Sequence, residues 1–218
     1  MIAGENLFSP AIFMLLASGD CLNLCYIYTV TNSDRQGDSV MEKERKNQAN
    51  ILARECIVSA LLQLIKKEPL SAVTISELTE RAGVSRMTFY RNYESKEDIF
   101  RSYMSEILDK YELETEKKYG KKKYYDQENL LHCFKYFREY SDFLDGLILC
   151  GYGHFFLRSI SDYMVRKWTR SGENSMEVYK MRAFAGALYG LYIAWSENHY
   201  RETPEEMVLV LKGIYDDI

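Results

Sequence analysis

The segment from Ser85 to Asn92 carries side chains of the types that recognise the major groove of DNA. Arginine binds guanine edges or phosphate, a methionine thioether contacts the thymine methyl group, and hydroxyl and amide groups hydrogen-bond to base edges. A helix through this segment turns Val84 and Phe89 inward, and Lys96 follows at a position suited to a phosphate contact. We therefore predict a DNA-contacting surface composed of Thr74, Ser85, Arg86, Met87, Thr88, Tyr90, Arg91, Asn92 and Lys96.

No arrangement typical of an enzyme active site occurs along the chain. A nucleophile beside a base, a phosphate-binding loop and a carboxylate dyad are all missing at usable spacing. The five cysteines are odd in number and, like the three histidines, have no spacing that suits a metal site. We therefore predict a protein that is not an enzyme, holds no metal and needs no cofactor.

The elements that would position the DNA-contacting side chains are helical. With only 3 prolines and 12 glycines, few points interrupt a helix, so composition favours an all-α fold. Thr74 and Glu77 form a capping box, Gly83 allows a tight turn, and Ser85 caps the next helix. Helix, glycine turn and short second helix predict a helix-turn-helix. The predicted helices of this half cover 44–66, 75–82, 86–91 and 96–118.

The C-terminal half shows the same helical period. We predict helices over 127–140, 142–150, 154–170, 175–199 and 204–216. Two glycines four residues apart allow a second helix to approach closely. A two-fold axis through the last two helices would give a four-helix interface. The predicted dimer interface consists of Gly186, Ala187, Gly190, Leu191, Ala194, Val208, Leu211 and Ile214.

An aromatic set in this half is a candidate lining for an effector pocket, with plain core packing as the alternative reading of each residue. Its members are Phe134, Phe137, Tyr140, Phe155, Tyr163, Trp168, Tyr189 and Trp195.

The first forty residues differ in character from the rest. Residues 7–30 are mostly apolar, but Ser18, Gly19 and Asp20 interrupt the run. A transmembrane helix needs about 20 continuous apolar residues, so the interruption argues against a membrane span. Met41 begins a charged stretch typical of a protein start. We expect residues 1–40 to be a non-native or disordered extension, with a membrane-associated segment as the alternative.

The stretch TISELTERAGVSRMTFYRNYESKEDIF, residues 74–100, resembles the DNA-binding domain of the tetracycline-repressor (TetR/AcrR) family. The resemblance implies an all-helical homodimer, with an N-terminal three-helix domain that reads DNA and C-terminal helices that bind an effector and dimerise. It matches Thr88, Tyr90 and Lys96 to DNA-contacting positions. The chain departs from the family at Asn92-Tyr93, where His-Phe is usual, and at Met87, where a small residue is common.

The C-terminal region, around YGLYIAW (189–195) and TPEE (203–206), is similar to a subgroup that includes regulators of dihydroxyacetone kinase operons. Some members of that subgroup activate transcription.

The net charge is −4, yet residues 41–103 carry an excess of basic side chains. That excess permits a surface that faces phosphate. We therefore predict a helix-turn-helix domain over 41–107 and a regulatory and dimerisation domain over 108–218. The expected protein is a cytoplasmic, homodimeric repressor that binds a pseudo-palindromic duplex and is released by a small hydrophobic or aromatic effector. The alternatives are an activator or co-regulator controlled by a protein partner, and a regulator tethered to the membrane through residues 7–30.

Overall fold

The computed structural model describes residues 39–120, 123–169 and 175–216, and within these ranges the chain is helical with no strand. This confirms the predicted all-α class. The helices of these ranges are α1 (Ser39–Ile65), α2 (Ile75–Ala82), α3 (Arg86–Asn92), α4 (Lys96–Tyr119), α5 (Gln127–Glu139), α6 (Ser141–Leu149), α7 (Gly153–Trp168), α8 (Ser175–Glu197) and α9 (Pro204–Asp216).

The chain divides into two compact units, 1–99 and 100–218. The division falls inside α4, N-terminal to the boundary predicted at residue 107. The hypotheses about residues 1–40 and 7–30 lie outside the described residues, apart from Ser39 and Val40 at the start of α1. Within the described ranges, no helix is both long enough and apolar enough to span a bilayer.

In the first unit, α1 supplies the apolar surface on which α2 and α3 pack. Cys56, Ile57 and Leu61 of α1 are buried together with Leu78 of α2 and Phe89 of α3. Burial of a large apolar side chain contributes about 1.5–3 kcal/mol. This core therefore sets the orientation of α3 and of the side chains on its outer face.

Local hydrogen bonds fix the turn between α2 and α3. Thr74 Oγ1 accepts from the Glu77 N–H at 3.1 Å, and Ser85 Oγ accepts from the Thr88 N–H at 3.0 Å, so a side chain caps each helix. Gly83 has a φ of 67°, in the left-handed region that favours glycine. The cap at Thr74 thus determines where α2 begins, Gly83 where it ends, and the cap at Ser85 where α3 begins.

In the second unit, α7 packs on α8 and on α6, while α9 packs on α5 and α8. Aromatic rings fill much of the interior. Phe156 contacts Phe137 at a centroid distance of 5.4 Å and Tyr192 at 5.2 Å, and Phe134 meets Trp195 at 5.9 Å. Aromatic pairs of this kind add to the free energy of area burial. The packing holds α5, α7 and α8 around the cavities described below.

A polar network closes the loop between α8 and α9. Oδ1 of Asp145 accepts from Ser196 Oγ at 2.7 Å and from the Tyr200 hydroxyl at 2.6 Å. The Trp195 Nε1–H donates to the Glu202 carbonyl at 2.9 Å. Tyr200 has a φ of 54°, a conformation that costs free energy for a non-glycine residue, so these contacts are needed to hold it. They set the direction in which α9 begins.

Candidate nucleic-acid interface and effector cavity

The outer face of α3 exposes large side chains that a protein core would normally bury. Met87 is 75% exposed and Tyr90 is 63% exposed. Arg86 and Arg91 are exposed beside them. Two guanidinium groups, a thioether and a phenol on one short helix can bind phosphates and base edges together. The contacts of these four residues with DNA stay a prediction.

The start of α2 lies close to the start of α3. Nη2 of Arg86 donates to Ser76 Oγ, so the guanidinium is held beside the first turn of α2. Thr74 is exposed at that turn, and its hydroxyl hydrogen is available to a phosphate because Oγ1 serves as the acceptor in the cap. Ser85 and Thr88 are 2.9 Å apart through their hydroxyl oxygens. Thr74 and Ser85 therefore act first as helix caps and Thr88 bonds to the Ser85 hydroxyl, so any DNA contact would use their remaining bonding capacity.

Lys96 holds the segment that precedes α2. Its Nζ lies 2.6 Å from the Leu70 carbonyl oxygen and 2.5 Å from the Val73 carbonyl oxygen. An ammonium group has three donors, so one remains for a phosphate. The sequence indicated only the phosphate contact, whereas the structure adds a positioning role, because the two carbonyls flank the approach to Thr74.

Asn92 differs from the prediction. It is half-buried, and its Nδ2 donates to Asn50 Oδ1 at 3.0 Å and to the Thr88 carbonyl at 2.9 Å. Both amide hydrogens are used inside the unit, which leaves no donor for the predicted phosphate contact. Asn92 joins α3 to α1 instead. Sequence pattern could not identify this role because the partner is 42 residues away.

The second unit encloses a small cavity of about 30 Å³. We call it the inner cavity. Of the eight residues predicted to line an effector pocket, Phe137, Tyr163 and Trp168 line it. The sequence predicted none of the other lining residues, because these residues belong to the interior faces of different helices. The full lining is Leu108, Tyr111, Thr115, Tyr124, Asn129, Leu130, Cys133, Phe137, Ile160, Tyr163, Met164, Trp168, Phe184 and Leu188.

The other five predicted pocket residues lie elsewhere. Phe134 lines a separate void of about 20 Å³. Tyr140 is buried and accepts a hydrogen bond from Lys110 Nζ at 3.0 Å, while Trp195 donates within the α8–α9 loop. Phe155 stacks on a neighbouring tyrosine at 5.4 Å, and Tyr189 packs on Phe156 at 5.7 Å. These are ordinary packing contacts, the alternative to a pocket lining that the sequence left open, for Tyr140, Phe155, Tyr189 and Trp195.

Among the described residues, none with a charged side chain lines the inner cavity. Burial raises the pKa of the Cys133 thiol to about 12 and raises the pKa of the Tyr111 phenol well above its usual range. Both groups therefore stay neutral at physiological pH. The cavity offers apolar and aromatic surface with a few neutral polar groups, a lining that suits an uncharged group of a ligand, but its volume of about 30 Å³ holds only one or two water molecules.

A stripe along α8 is open to solvent and nearly free of large side chains. Ala194 and Gly190 are exposed, and a methyl group added at Gly186 or Gly190 would meet no other atom within 4 Å. Of the remaining predicted interface residues on α8, Ala187 and Leu191 are half-buried. Such a stripe allows another helix to approach closely, and the dimer interface on α8 stays a prediction.

The predicted part of the dimer interface on α9 was wrong for two of its three residues. Val208 and Leu211 are 1% and 0% exposed, so they belong to the interior of this chain and offer no surface to a partner. Ile214 is 46% exposed, and Leu209 and Val210, which were not predicted, are 65% and 50% exposed. The outward apolar face of α9 therefore consists of Leu209, Val210 and Ile214.

The chain is similar in fold to two solved structures. The chain is similar to the dihydroxyacetone kinase operon activator DhaS, with 18% identity, a TM-score of 0.49, and coverage of 75% of this chain and 94% of that one. It is also similar to the fatty acid degradation regulator FadR from Bacillus halodurans, with 14% identity, a TM-score of 0.45, and coverage of 73% and 92%. No curated protein matches the sequence.

The family comparison is local and covers the helix-turn-helix. Residues 57–103 match the family described as bacterial regulatory proteins, tetR family. This range contains the C-terminal third of α1, all of α2 and α3, and the start of α4. It also contains every residue of the predicted DNA-contacting surface. The chain therefore carries the helix-turn-helix DNA-binding domain of the tetR family of bacterial regulatory proteins.

Proposed function

We propose that this protein is a homodimeric transcriptional repressor that binds a pseudo-palindromic DNA duplex and is released from it by a small organic effector. We place its action in the cytoplasm, where the DNA is accessible. The observation that carries the proposal is the exposed face of α3, with Met87 and Tyr90 presented beside Arg86 and Arg91.

The chemistry of that face supports binding to DNA. Phosphate contacts provide affinity for any sequence, whereas base-edge contacts provide selectivity. Arg86 and Met87 have the types that read bases, and Tyr90, Arg91 and Lys96 have the types that bind phosphate. A helix of this length fits the major groove.

The open stripe on α8 and the outward face of α9 support the dimer. Gly190 and Ala194 are exposed on α8, and Leu209, Val210 and Ile214 are exposed on α9. Burial of these apolar side chains against their symmetry copies would stabilise an isologous dimer. Two copies of α3 related by a two-fold axis would then read two halves of an inverted repeat.

The inner cavity supports release by an effector. It is lined by neutral and mostly apolar groups, including Phe137, Tyr163 and Trp168, in the unit that does not carry the helix-turn-helix. A ligand that binds only one of two conformations shifts the population toward it. An effector that favours the conformation with lower affinity for DNA would thus release the repressor.

Selection of bound duplexes from a random DNA pool tests the proposal. We expect enrichment of an inverted repeat whose half-sites are spaced by whole turns of the duplex, about 10 base pairs each. The triple variant Arg86→Ala, Met87→Ala, Tyr90→Ala is the control, because all three side chains are exposed and their loss leaves the core intact. The proposal would be contradicted if this variant enriched the same repeat, or if the wild-type protein enriched no repeat.

A reporter gene tests whether the protein represses or activates transcription. A reporter gene behind the selected repeat should be more strongly expressed when the regulator is deleted. Lower expression on deletion would instead make the protein an activator and overturn the repressor part of the proposal.

A further inference from the structure

A second and larger cavity adjoins the inner one. This outer cavity has a volume of about 420 Å³, within the range of small-molecule sites. Its lining residues are Tyr124, Tyr125, Asp126, Gln127, Leu130, Phe184, Leu211 and Lys212. Tyr124, Leu130 and Phe184 line both cavities, so these three side chains form the wall between them.

The rings of Tyr124 and Phe184 make the central part of that wall. Their centroids are 4.8 Å apart at an interplanar angle of 71°, an edge-to-face contact. Tyr124 also meets Trp168 of the inner cavity at 5.7 Å. The inner cavity, at about 30 Å³, holds no more than one or two water molecules as it stands. Rotation of the two rings would join it to the outer cavity and admit an apolar group.

The two cavities differ in charge. In the part of the chain that the structure describes, no charged side chain lines the inner cavity, whereas Asp126 and Lys212 line the outer one. Oδ2 of Asp126 already accepts a hydrogen bond from the Lys123 N–H at 2.8 Å. Among the described residues, no ion pair involves the half-buried Lys212. Among the described lining residues, the ammonium group of Lys212 is therefore the positive charge with which an anionic ligand can pair, while Asp126 keeps its negative charge.

We infer that the two cavities form one binding site for an amphipathic organic carboxylate. The carboxylate binds Lys212 in the outer cavity, and the neutral apolar body passes Tyr124 and Phe184 toward Trp168. A charged body would lose its hydration in the inner cavity without a partner, so the charge stays outside. The inference names the class of effector in the proposed function and relies on that function for its biological role.

The test uses a pair of probes that share one body. Calorimetric titration of the full chain with 4-phenylbutanoate and with 4-phenylbutanamide at pH 7 compares a charged and a neutral head. We expect the carboxylate to bind more tightly by about tenfold or more, because the amide oxygen can still accept a hydrogen bond from Lys212 but carries no negative charge to pair with the ammonium. Equal affinities, or no binding of either probe, would overturn the inference.

Variants of Lys212 assign the head group. Lys212→Met should remove the preference for the carboxylate, and Lys212→Arg should keep it. Lys67→Met is the matched control, since Lys67 is exposed, belongs to the first unit and lines neither cavity. A preference that survives in Lys212→Met means that another group binds the carboxylate, and the inference fails.

Tryptophan emission reports on the body of the ligand. Trp168 lines the inner cavity, so 4-phenylbutanoate should change its emission and acetate, which lacks the ring, should not. Trp168→Phe should abolish the emission change while calorimetry still detects binding. An unchanged emission at saturation would show that the ring stays outside, which overturns the two-cavity site.

The outcome for DNA is separate from the outcome for the site. If the carboxylate binds with the expected preference but leaves affinity for the selected duplex unchanged, effector release is refuted and the binding site stands. If a different compound releases the DNA while the carboxylate shows no preference, the inference fails and the proposed function stands.

Discussion

Asn92 Nδ2 and Asn50 Oδ1 lie 3.0 Å apart and join α3 directly to α1. The same nitrogen also donates to the Thr88 carbonyl, one turn back in α3. Position 92 therefore anchors the helix that presents Arg86, Met87 and Tyr90. Asn92 thus holds two helices of this unit together.

The first prediction concerns this bond. Asn92→Ala and Asn50→Ala should each lower the free energy of unfolding by about 0.5–1.5 kcal/mol through the hydrogen bond that they share, and Asn92→Ala should cost more because it also removes the bond to the Thr88 carbonyl. The double variant should cost less than the sum of the two single variants, because the shared bond is lost only once. Urea unfolding of the four proteins measures this. Strict additivity would mean that the two side chains do not interact.

The second prediction separates base reading from phosphate binding. Arg86→Ala should weaken binding to the selected duplex by about 1–3 kcal/mol and relax selectivity at one base pair, if Arg86 reads a base. Lys96→Ala should weaken binding to all sequences alike and lower the slope of log affinity against log salt by about one unit. Gel-shift titrations at several salt concentrations measure both effects.

Lys96 needs a control because it also binds the carbonyls of Leu70 and Val73. Lys96→Met keeps most of the side-chain length and removes the charge, so unfolding measurements on it report the loss of the two hydrogen bonds. If both Arg86→Ala and Lys96→Ala left affinity for DNA intact, α3 would not be the recognition element.

The third prediction concerns the dimer. Gly190→Leu should weaken association because leucine keeps apart two helices that the open stripe on α8 allows to meet. Leu209→Glu should also weaken it, since a carboxylate would be buried in the interface without a partner. Sedimentation velocity over a range of concentrations gives the association constants.

Leu211→Ala is the matched control on the opposite face of α9. Leu211 is fully buried in the chain, so its truncation should lower the free energy of unfolding by about 2–5 kcal/mol and leave assembly largely unchanged. Gly190→Leu and Leu209→Glu proteins that sediment as unaltered dimers would place the interface elsewhere.

The fourth prediction concerns pH. Burial, with a further contribution from Lys118, lowers the pKa of His132 below its usual 6.5, although Glu114 opposes the shift. His132 also stacks on Tyr111 at 5.5 Å. The unfolded chain therefore binds more protons than the folded one just below pH 6.5. The free energy of unfolding should fall as the pH drops through this range.

His132→Gln removes the titrating group and keeps a polar side chain. The difference in unfolding free energy between wild type and variant should be constant above pH 7 and should narrow or change sign below pH 6.5. Chemical unfolding between pH 5 and 8 measures it. Parallel curves across the whole range would show that His132 has the same pKa in both states.

Local interactions determined the helix-turn-helix, and the sequence alone was enough to predict it. The capping box at Thr74, the turn at Gly83 and the cap at Ser85 connect residues only a few positions apart, so their geometry follows from the residue types. Periodicity likewise predicted the helices of the second half to within a few residues, for example 204–216 for Pro204–Asp216.

Only the tertiary structure decided which of several apolar faces is buried. Met207, Val208, Leu209, Val210 and Leu211 are consecutive in α9, so the helix is apolar around much of its circumference and its sequence favours no single face. Packing on α5 and α8 buries Val208 and Leu211 and leaves Leu209 and Val210 outside. Asn92 and the Tyr124–Phe184 wall depend in the same way on partners far along the chain. Residue type and spacing describe the surface that each helix offers, whereas its partner is selected by the joint packing of all the helices.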